Sequence, residues 1–236
     1  DIDSTPNNDK DGEDYIDIEK IVVEEFDLAL RKFITKINGV DVAESREPKI
    51  SQETINELLS GKTTTLEKTH TKTPLQVNTG DTVTYTIRVY NEGEVSGYAK
   101  EIVDYLPDGL VLKADSQINT QNGWTNRSGD GKTIVTTYTA DKLIKAFDGT
   151  DLSYVDVEIE CEVVAQKGTT ETKLKNVAEI TKVADEDGNE DVKDRDSEII
   201  NLTDEQKNKY NPGESEKGWG YEDDDDYEEL VLPSAQ

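Results

Sequence analysis

Three residues of this chain occupy positions where their side chains are costly, and together they could do chemistry. In 27–36, Leu28, Leu30, Lys32 and Ile34 share one parity. In 99–106, Ile102, Asp104 and Leu106 do so, and in 175–183, Asn176, Ala178 and Ile180. If these stretches are strands, alternate side chains face one side, so Lys32, Asp104 and Asn176 all turn inward. Burying any one of them alone is unfavourable. A lysine that loses its proton in an apolar site becomes a nucleophilic amine. An aspartate kept protonated by burial can hydrogen-bond the asparagine carboxamide oxygen. Attack of the amine on the Asn176 side-chain carbonyl would then release ammonia and leave a Lys–Asn amide. Each position also has an ordinary reading. Asp104, just before Leu106-Pro107-Asp108-Gly109, could cap a turn, and Asn176 could satisfy a sheet edge. Lys36 shares the parity of Lys32 and is the alternative lysine, beside the Asn38-Gly39 turn.

The elements that must hold these residues read as β. Val83, Tyr85, Ile87 and Val89 alternate with Thr84, Thr86 and Arg88. Val155, Val157, Ile159, Cys161 and Val163 alternate with Asp156, Glu158, Glu160 and Glu162. Both patterns predict strands with one buried and one solvated face. Further strands are expected at 27–36, 99–106, 132–139 and 175–183, separated by turn sequences such as Asn38-Gly39, Pro107-Asp108-Gly109 and Gly129-Asp130-Gly131. Helices are expected over 52–60, capped by Ser51, and over 140–147. Thr203-Asp204-Glu205-Gln206 adds a weaker capping-box pattern. The fold class is therefore all-β, a sandwich with one or two short inserted helices and acidic flanking linkers.

The segment TGDTVTYTIRVYNEGEVSGYAKEIVDYLPDGLVL, with KNVAEIT later, resembles the Cna-A-type isopeptide domains and related repeat domains of Gram-positive bacterial surface proteins and pilins. The resemblance covers about residues 26–183. It implies an Ig-like (Cna-A-like) β-sandwich in which Lys32 and Asn176 form an isopeptide bond and Asp104 is the catalytic acid. It also implies an extracellular place on a bacterial cell surface. The 37–74 insertion, between the first strand and the Thr79-Gly80-Asp81 turn, departs from the family pattern.

Composition limits the partners. The chain has 236 residues, 26 Lys and Arg against 53 Asp and Glu, and a net charge of −27. Nucleic acid and anionic membrane are polyanions and would be repelled. No apolar run approaches the roughly 18 residues of a membrane span. One cysteine, Cys161, and one histidine, His70, exclude an internal disulfide and argue against zinc or Ser-His-Asp chemistry. No nucleophile–base pair or cofactor motif suggests an enzyme with turnover. Residues 1–25 carry −8 and 184–236 carry −14, leaving −5 for 26–183.

The acidic flanks favour cations. Asp185, Asp187, Asn189 and Asp191 place oxygen ligands at alternate positions around Gly188, and Asp9, Asp11 and Asp14 cluster around Gly12. Hard Ca²⁺ takes such ligands, so Ca²⁺ is the expected cofactor; a solvated, self-repelling linker is the alternative. Asp1 and Asp3, or Asp194 and Asp196, could complete a site. The run Asp223–Asp226 reads as solvated.

The ends resemble each other: Asp1-Ile2-Asp3-Ser4 matches Asp194-Arg195-Asp196-Ser197, and Asp14-Tyr15 onward matches Asp226-Tyr227 onward. This predicts one repeat of a tandem array, with 1–25 the linker from a preceding repeat, 26–183 the sandwich and 184–236 the linker to the next. With no methionine at position 1, a mature product or an excised fragment is expected. The expected function is a structural repeat module of a surface stalk, fibre or pilus-like protein, with neighbouring repeats as partners. The alternative is an adhesin domain that binds a host or cell-surface ligand through 37–74.

Overall fold

The computed structural model describes residues 23–210 and 222–235. In chain order the strands are β1 (Leu28–Ile37), β2 (Val40–Asp41), β3 (Leu75–Gln76), β4 (Thr82–Asn91), β5 (Gly97–Tyr105), β6 (Leu110–Leu112), β7 (Thr125–Asn126), β8 (Thr133–Thr136), β9 (Tyr154–Val163), β10 (Thr172–Asp185) and β11 (Asp225–Leu232). Three short helices join them: α1 (Gln52–Leu59), α2 (Gln117–Gln121) and α3 (Asp204–Asn208). One sheet has the order β2-β1-β4-β9-β6 and the other β3-β11-β10-β5-β8-β7. Every pairing is antiparallel except β3 with β11. The molecule is an Ig-like β-sandwich: the alternation predicts the sandwich, and the family resemblance implies its Ig-like kind.

The core lies between the sheets. Leu28, Leu30 and Ile34 of β1 meet Val83, Tyr85, Ile87 and Val89 of β4 and Val157, Ile159, Cys161 and Val163 of β9. Ile102 of β5 and Ala178 and Ile180 of β10 face them from the other sheet. The Asn38-Gly39 turn between β1 and β2 has φ of 52° and 75°, the double left-handed geometry of a tight hairpin, which asparagine and glycine tolerate best. The polar face of β4 departs from expectation, because Thr84, Thr86 and Arg88 are buried. Arg88 stacks on Tyr154 at 3.9 Å and bonds Asp156 and Glu47, so its own side chain roofs that face.

The helix expected over 140–147 does not form. Ile144 instead exchanges two backbone hydrogen bonds with Gly97, at 2.8 and 3.0 Å, and so extends the β5 edge. Turns at 137–142 lead into it. A tertiary partner for the backbone outweighs a modest helical preference. The α2 helix, not expected, is capped by Ser116, and its Asn119 bonds the β9 backbone in both directions. The capping box predicted at Thr203 is present at α3.

The largest correction concerns 184–236, expected as a linker. Its described residues, 184–210 and 222–235, close the domain. β11 pairs with β10 from Thr172↔Leu232 to Glu179↔Asp225. The Asp223–Asp226 run, expected in solvent, is buried. Its backbone explains why: Asp223 O accepts from Leu30 N at 2.6 Å, and Asp224 O accepts from Ile180 N at 3.0 Å. The run thus crosses from β1 in one sheet to β10 in the other and satisfies an edge of each. β10 is therefore not the last strand. Residues 1–22 of the expected incoming linker, with Asp9, Asp11 and Asp14, lie outside the described residues.

Candidate functional site

Lys32 sits mid-β1, opposite Ile87 of β4, with Leu30 and Ile34 on either side of it on the same face. Its main chain is held at both ends of the residue. Lys32 N–H donates to Asp226 Oδ2 at 2.7 Å, and Lys32 C=O accepts from Lys72 Nζ at 2.9 Å. Lys72 in turn pairs with Asp226 at 2.8 Å. The free side of β1 is thus sealed by side chains from β11 and from the 37–74 insertion.

Asp104 comes from the opposite sheet, on β5, flanked by Ala178 of β10 and Ile134 of β8. Lys32 Nζ and Asp104 Oδ2 form an ion pair in which neither side chain reaches solvent. The Lys32 ammonium also lies 4.7 Å from the centre of the Tyr85 ring. Burial pushes the Asp104 carboxyl up from its ordinary range, with Lys32 opposing the shift. Burial likewise raises the Tyr85 hydroxyl and the Cys161 thiol well above their usual values. Water is excluded on every side of this pair.

Asn176, on β10, completes the group. Its carboxamide approaches Asp104 and Tyr85 closely enough to favour their ionised forms. These approaches are not well-formed hydrogen bonds: neither Asn176 Oδ1 nor Nδ2 makes one of good geometry, and Asp104 Oδ1 and Tyr85 Oη make none either. A fully buried amide with both ends unsatisfied is expensive, on the order of 1–3 kcal/mol per group, and calls for an explanation. Lys36 lies elsewhere: past a bulge after Ile34, half-buried, opposite Thr84 and Asp41. Of the two lysines, it is Lys32 that meets Asp104.

The surroundings hold a second buried pair that the sequence reading missed. Glu228 stands opposite Asn176 in the β10–β11 ladder and is fully buried. Arg46, from the insertion, grips it with two bonds of 2.7 and 3.2 Å. The 37–74 insertion is therefore a strap across the β1–β11 seam, not a free loop. It is fixed by Arg46, by Lys72, and by Leu66, whose N–H donates to Glu92 at 2.6 Å. Lys68 adds a fully buried ion pair with Glu92.

The expected calcium loop has a different geometry. Asp185 Oδ1 accepts from the N–H groups of Asp187 and Asn189, and Asn189 Oδ1 accepts from Asp191 N–H. These oxygens bond their own backbone, and the side chains from Asp187 to Asp191 are exposed. The acidic side chains that do converge lie elsewhere, around Asp27.

No family model matches the chain. No curated protein matches it either. Among solved structures it overlaps a non-cellulosomal cohesin from the hyperthermophilic archaeon Archaeoglobus fulgidus, at 11% identity and a TM-score of 0.32, over 51% of this chain and 78% of the cohesin. It also overlaps BcpA, the major pilin subunit of Bacillus cereus, at 12% identity and a TM-score of 0.36, over 89% of this chain and 41% of the pilin. The chain thus spans less than half the length of that pilin. Overlaps this loose carry no conclusion about activity or partners.

Proposed function

We propose that this chain is a structural module of an extracellular stalk, fibre or pilus-like protein on a bacterial surface, locked by an isopeptide bond between Lys32 and Asn176. The observation that carries this reading is the meeting of Lys32, Asp104 and an unsatisfied Asn176 in a water-free core, with the lysine on one sheet and the other two on the other. In such surroundings the ion pair is one proton transfer from a neutral amine and a neutral acid, the form that low polarity favours. Protonated Asp104 polarises the Asn176 carbonyl. Lys32 Nζ attacks Cγ, the Nζ–Cγ bond forms, and the Cγ–Nδ2 bond breaks. The proton lost by Nζ passes through Asp104 to Nδ2, which leaves as ammonia. Asp104 ends as it began, so the reaction runs once per chain and is not turnover.

The product also removes the anomaly of the site: the asparagine NH₂ is gone, and the new amide N–H can donate to Asp104. A module built in this way joins its two sheets covalently, which suits a load-bearing repeat flanked by similar repeats. The adhesin reading finds no support in the insertion, which is tied down as a strap. Tyr138 and Tyr154, the large aromatics most exposed among the described residues, lie outside it.

Intact-mass measurement of the folded protein tests the reading. The expected mass is that of the sequence less one ammonia, and tandem fragmentation should join the Lys32 and Asn176 peptides. The full sequence mass in folded protein overturns it.

A further inference from the structure

We propose that Asp27, Asp194, Asp196 and Asp223 form a binding site for a hard divalent cation, with Ca²⁺ the best fit. These residues come from three stretches far apart in sequence. Asp27 immediately precedes β1, Asp194 and Asp196 follow β10, and Asp223 begins the run into β11. One carboxylate oxygen from each nonetheless lies within 4.8 Å of all the others. That spread is what a cation with bonds of about 2.3–2.6 Å can span.

The hydrogen bonds show that the cluster is more than a collection of acids. Asp194 is locked by both oxygens: Oδ2 accepts from Leu28 N–H at 2.8 Å, and Oδ1 from the N–H groups of Asp196 and Ser197 at 3.3 and 3.2 Å. Asp196 Oδ2 accepts from the Thr65 hydroxyl at 2.6 Å, and Asp27 Oδ2 pairs with Arg195. Each of the last two carboxylates is anchored through one oxygen, and its other oxygen, Asp27 Oδ1 and Asp196 Oδ1, is buried without a partner. Asp223 goes further. It is only 7% exposed, and neither of its oxygens has a partner. Four buried, unpartnered carboxylate oxygens among three residues of one cluster are a cost that the protein alone does not offset.

Of the cations nearby, Arg195 is the one that reaches into the cluster, through Asp27 Oδ2; the others bond outside its carboxylates. Arg195 pairs with Asp27 and Glu25, Lys68 with Glu92, and the Arg31 guanidinium bonds the backbone oxygens of Leu30 and Asp223. Burial and the neighbouring acids push Asp27 up to about 9 and Asp223 up to about 7, against the opposing charge of Arg195 at Asp27 and of Lys68 and Arg31 at Asp223. The donor set is all oxygen, with no histidine or thiol, which favours Ca²⁺ over zinc or copper. An opening of about 320 Å³, lined by Arg31, Thr64, Thr65, Asp196, Glu222 and Asp223, gives an entry path and room for the waters that fill the coordination shell; the Arg31 guanidinium at its wall is held by the backbone oxygens of Leu30 and Asp223. This site is distinct from the loop 185–191, and it does not depend on the isopeptide bond.

Calorimetric titration of the chelator-treated chain with CaCl₂, paired with thermal melts, tests the proposal. Ca²⁺ at about a hundred times its Kd should raise Tm by roughly 5–10 °C. Asp223→Asn and Asp196→Asn should each weaken binding at least about tenfold while circular dichroism stays native. Asp187→Asn with Asp191→Asn should leave binding unchanged, and Mg²⁺ should compete poorly. No heat and no Tm shift at millimolar Ca²⁺ overturns the proposal. So does binding that survives Asp196→Asn and Asp223→Asn but is lost in the loop variant.

Discussion

Lys32 and Asp104 reach toward each other from different sheets and form an ion pair shut off from solvent on both sides. Such a pair is a poor source of stability, because the desolvation of both charges consumes most of their attraction. Its position is better explained by what it can become. With Asn176 beside it, the pair is, under the proposed function, the seat of proton transfer and amide formation rather than a charge clamp between the sheets.

The first prediction concerns the cross-link's contribution. Asn176→Ala keeps the Lys32–Asp104 pair but removes the electrophile. A cross-link closing a loop of more than a hundred residues stabilises by about 5 kcal/mol through restriction of the unfolded chain. The variant should show the full mass expected for its sequence and a Tm lower by roughly 10–20 °C. An equal Tm would mean that no covalent link exists in the parent.

The second separates chemistry from packing. Asp104→Asn preserves shape but cannot relay a proton. The folded variant should keep its ammonia, as read by mass. Loss of ammonia in this variant would remove Asp104 from the reaction.

A third prediction concerns the strap. Arg46→Leu leaves Glu228 charged, buried and alone, which should cost about 3–5 kcal/mol in denaturant unfolding. Arg46→Leu with Glu228→Leu should recover most of that loss, since the orphaned charge is then gone. A double variant as unstable as the single one would show that packing, not charge, is what Arg46 supplies.

His70 supplies the fourth. Burial, with Lys72 adding to it and Asp226 at 3.6 Å opposing, lowers its pKa from 6.5 to about 4. Arg31 also disfavours the charged ring. The folded state therefore binds fewer protons than the unfolded state between pH 4 and 6.5, and this residue's effect is to lower stability as pH falls through that window. As the chain has one histidine, a single imidazole resonance should titrate near pH 4. A midpoint near 6.5 would show that the ring is not buried against Lys72.

Where a strand has one apolar and one polar row, the sequence discloses it: β4, β9 and the inward turn of Lys32 were legible from parity alone. β11 was not, although Asp226 and Glu228 share the parity of Leu230 and Leu232. Two acids in core positions read as solvent-facing unless their distant partners are known, and those partners, Lys72 and Arg46, come from the insertion. The 140–147 segment misled for the opposite reason: its local pattern is helical, but Gly97 offers Ile144 a backbone partner that no local pattern encodes. The Asp27 cluster was half visible, in Asp194 and Asp196. Asp27 and Asp223 join it only because the run into β11 crosses between the sheets.

That crossing has a mechanical consequence. If Lys32 is joined to Asn176 as proposed, tension applied at the two ends would pass straight from β1 to β10, and residues 33–175 could not lengthen whatever the pull. The stretch from 177 to 232 lies outside this shunt and could pay out at roughly 3.4 Å per residue. It is the stretch that Arg46 pins at Glu228 and that a cation at Asp194, Asp196 and Asp223 would tie to Asp27, at the entry of β1. The covalent bond would thus set the inextensible length of the link. The tie at Asp27 would set the force at which its tail begins to yield, so bound Ca²⁺ would tune how much slack the chain releases before the bond bears the whole load.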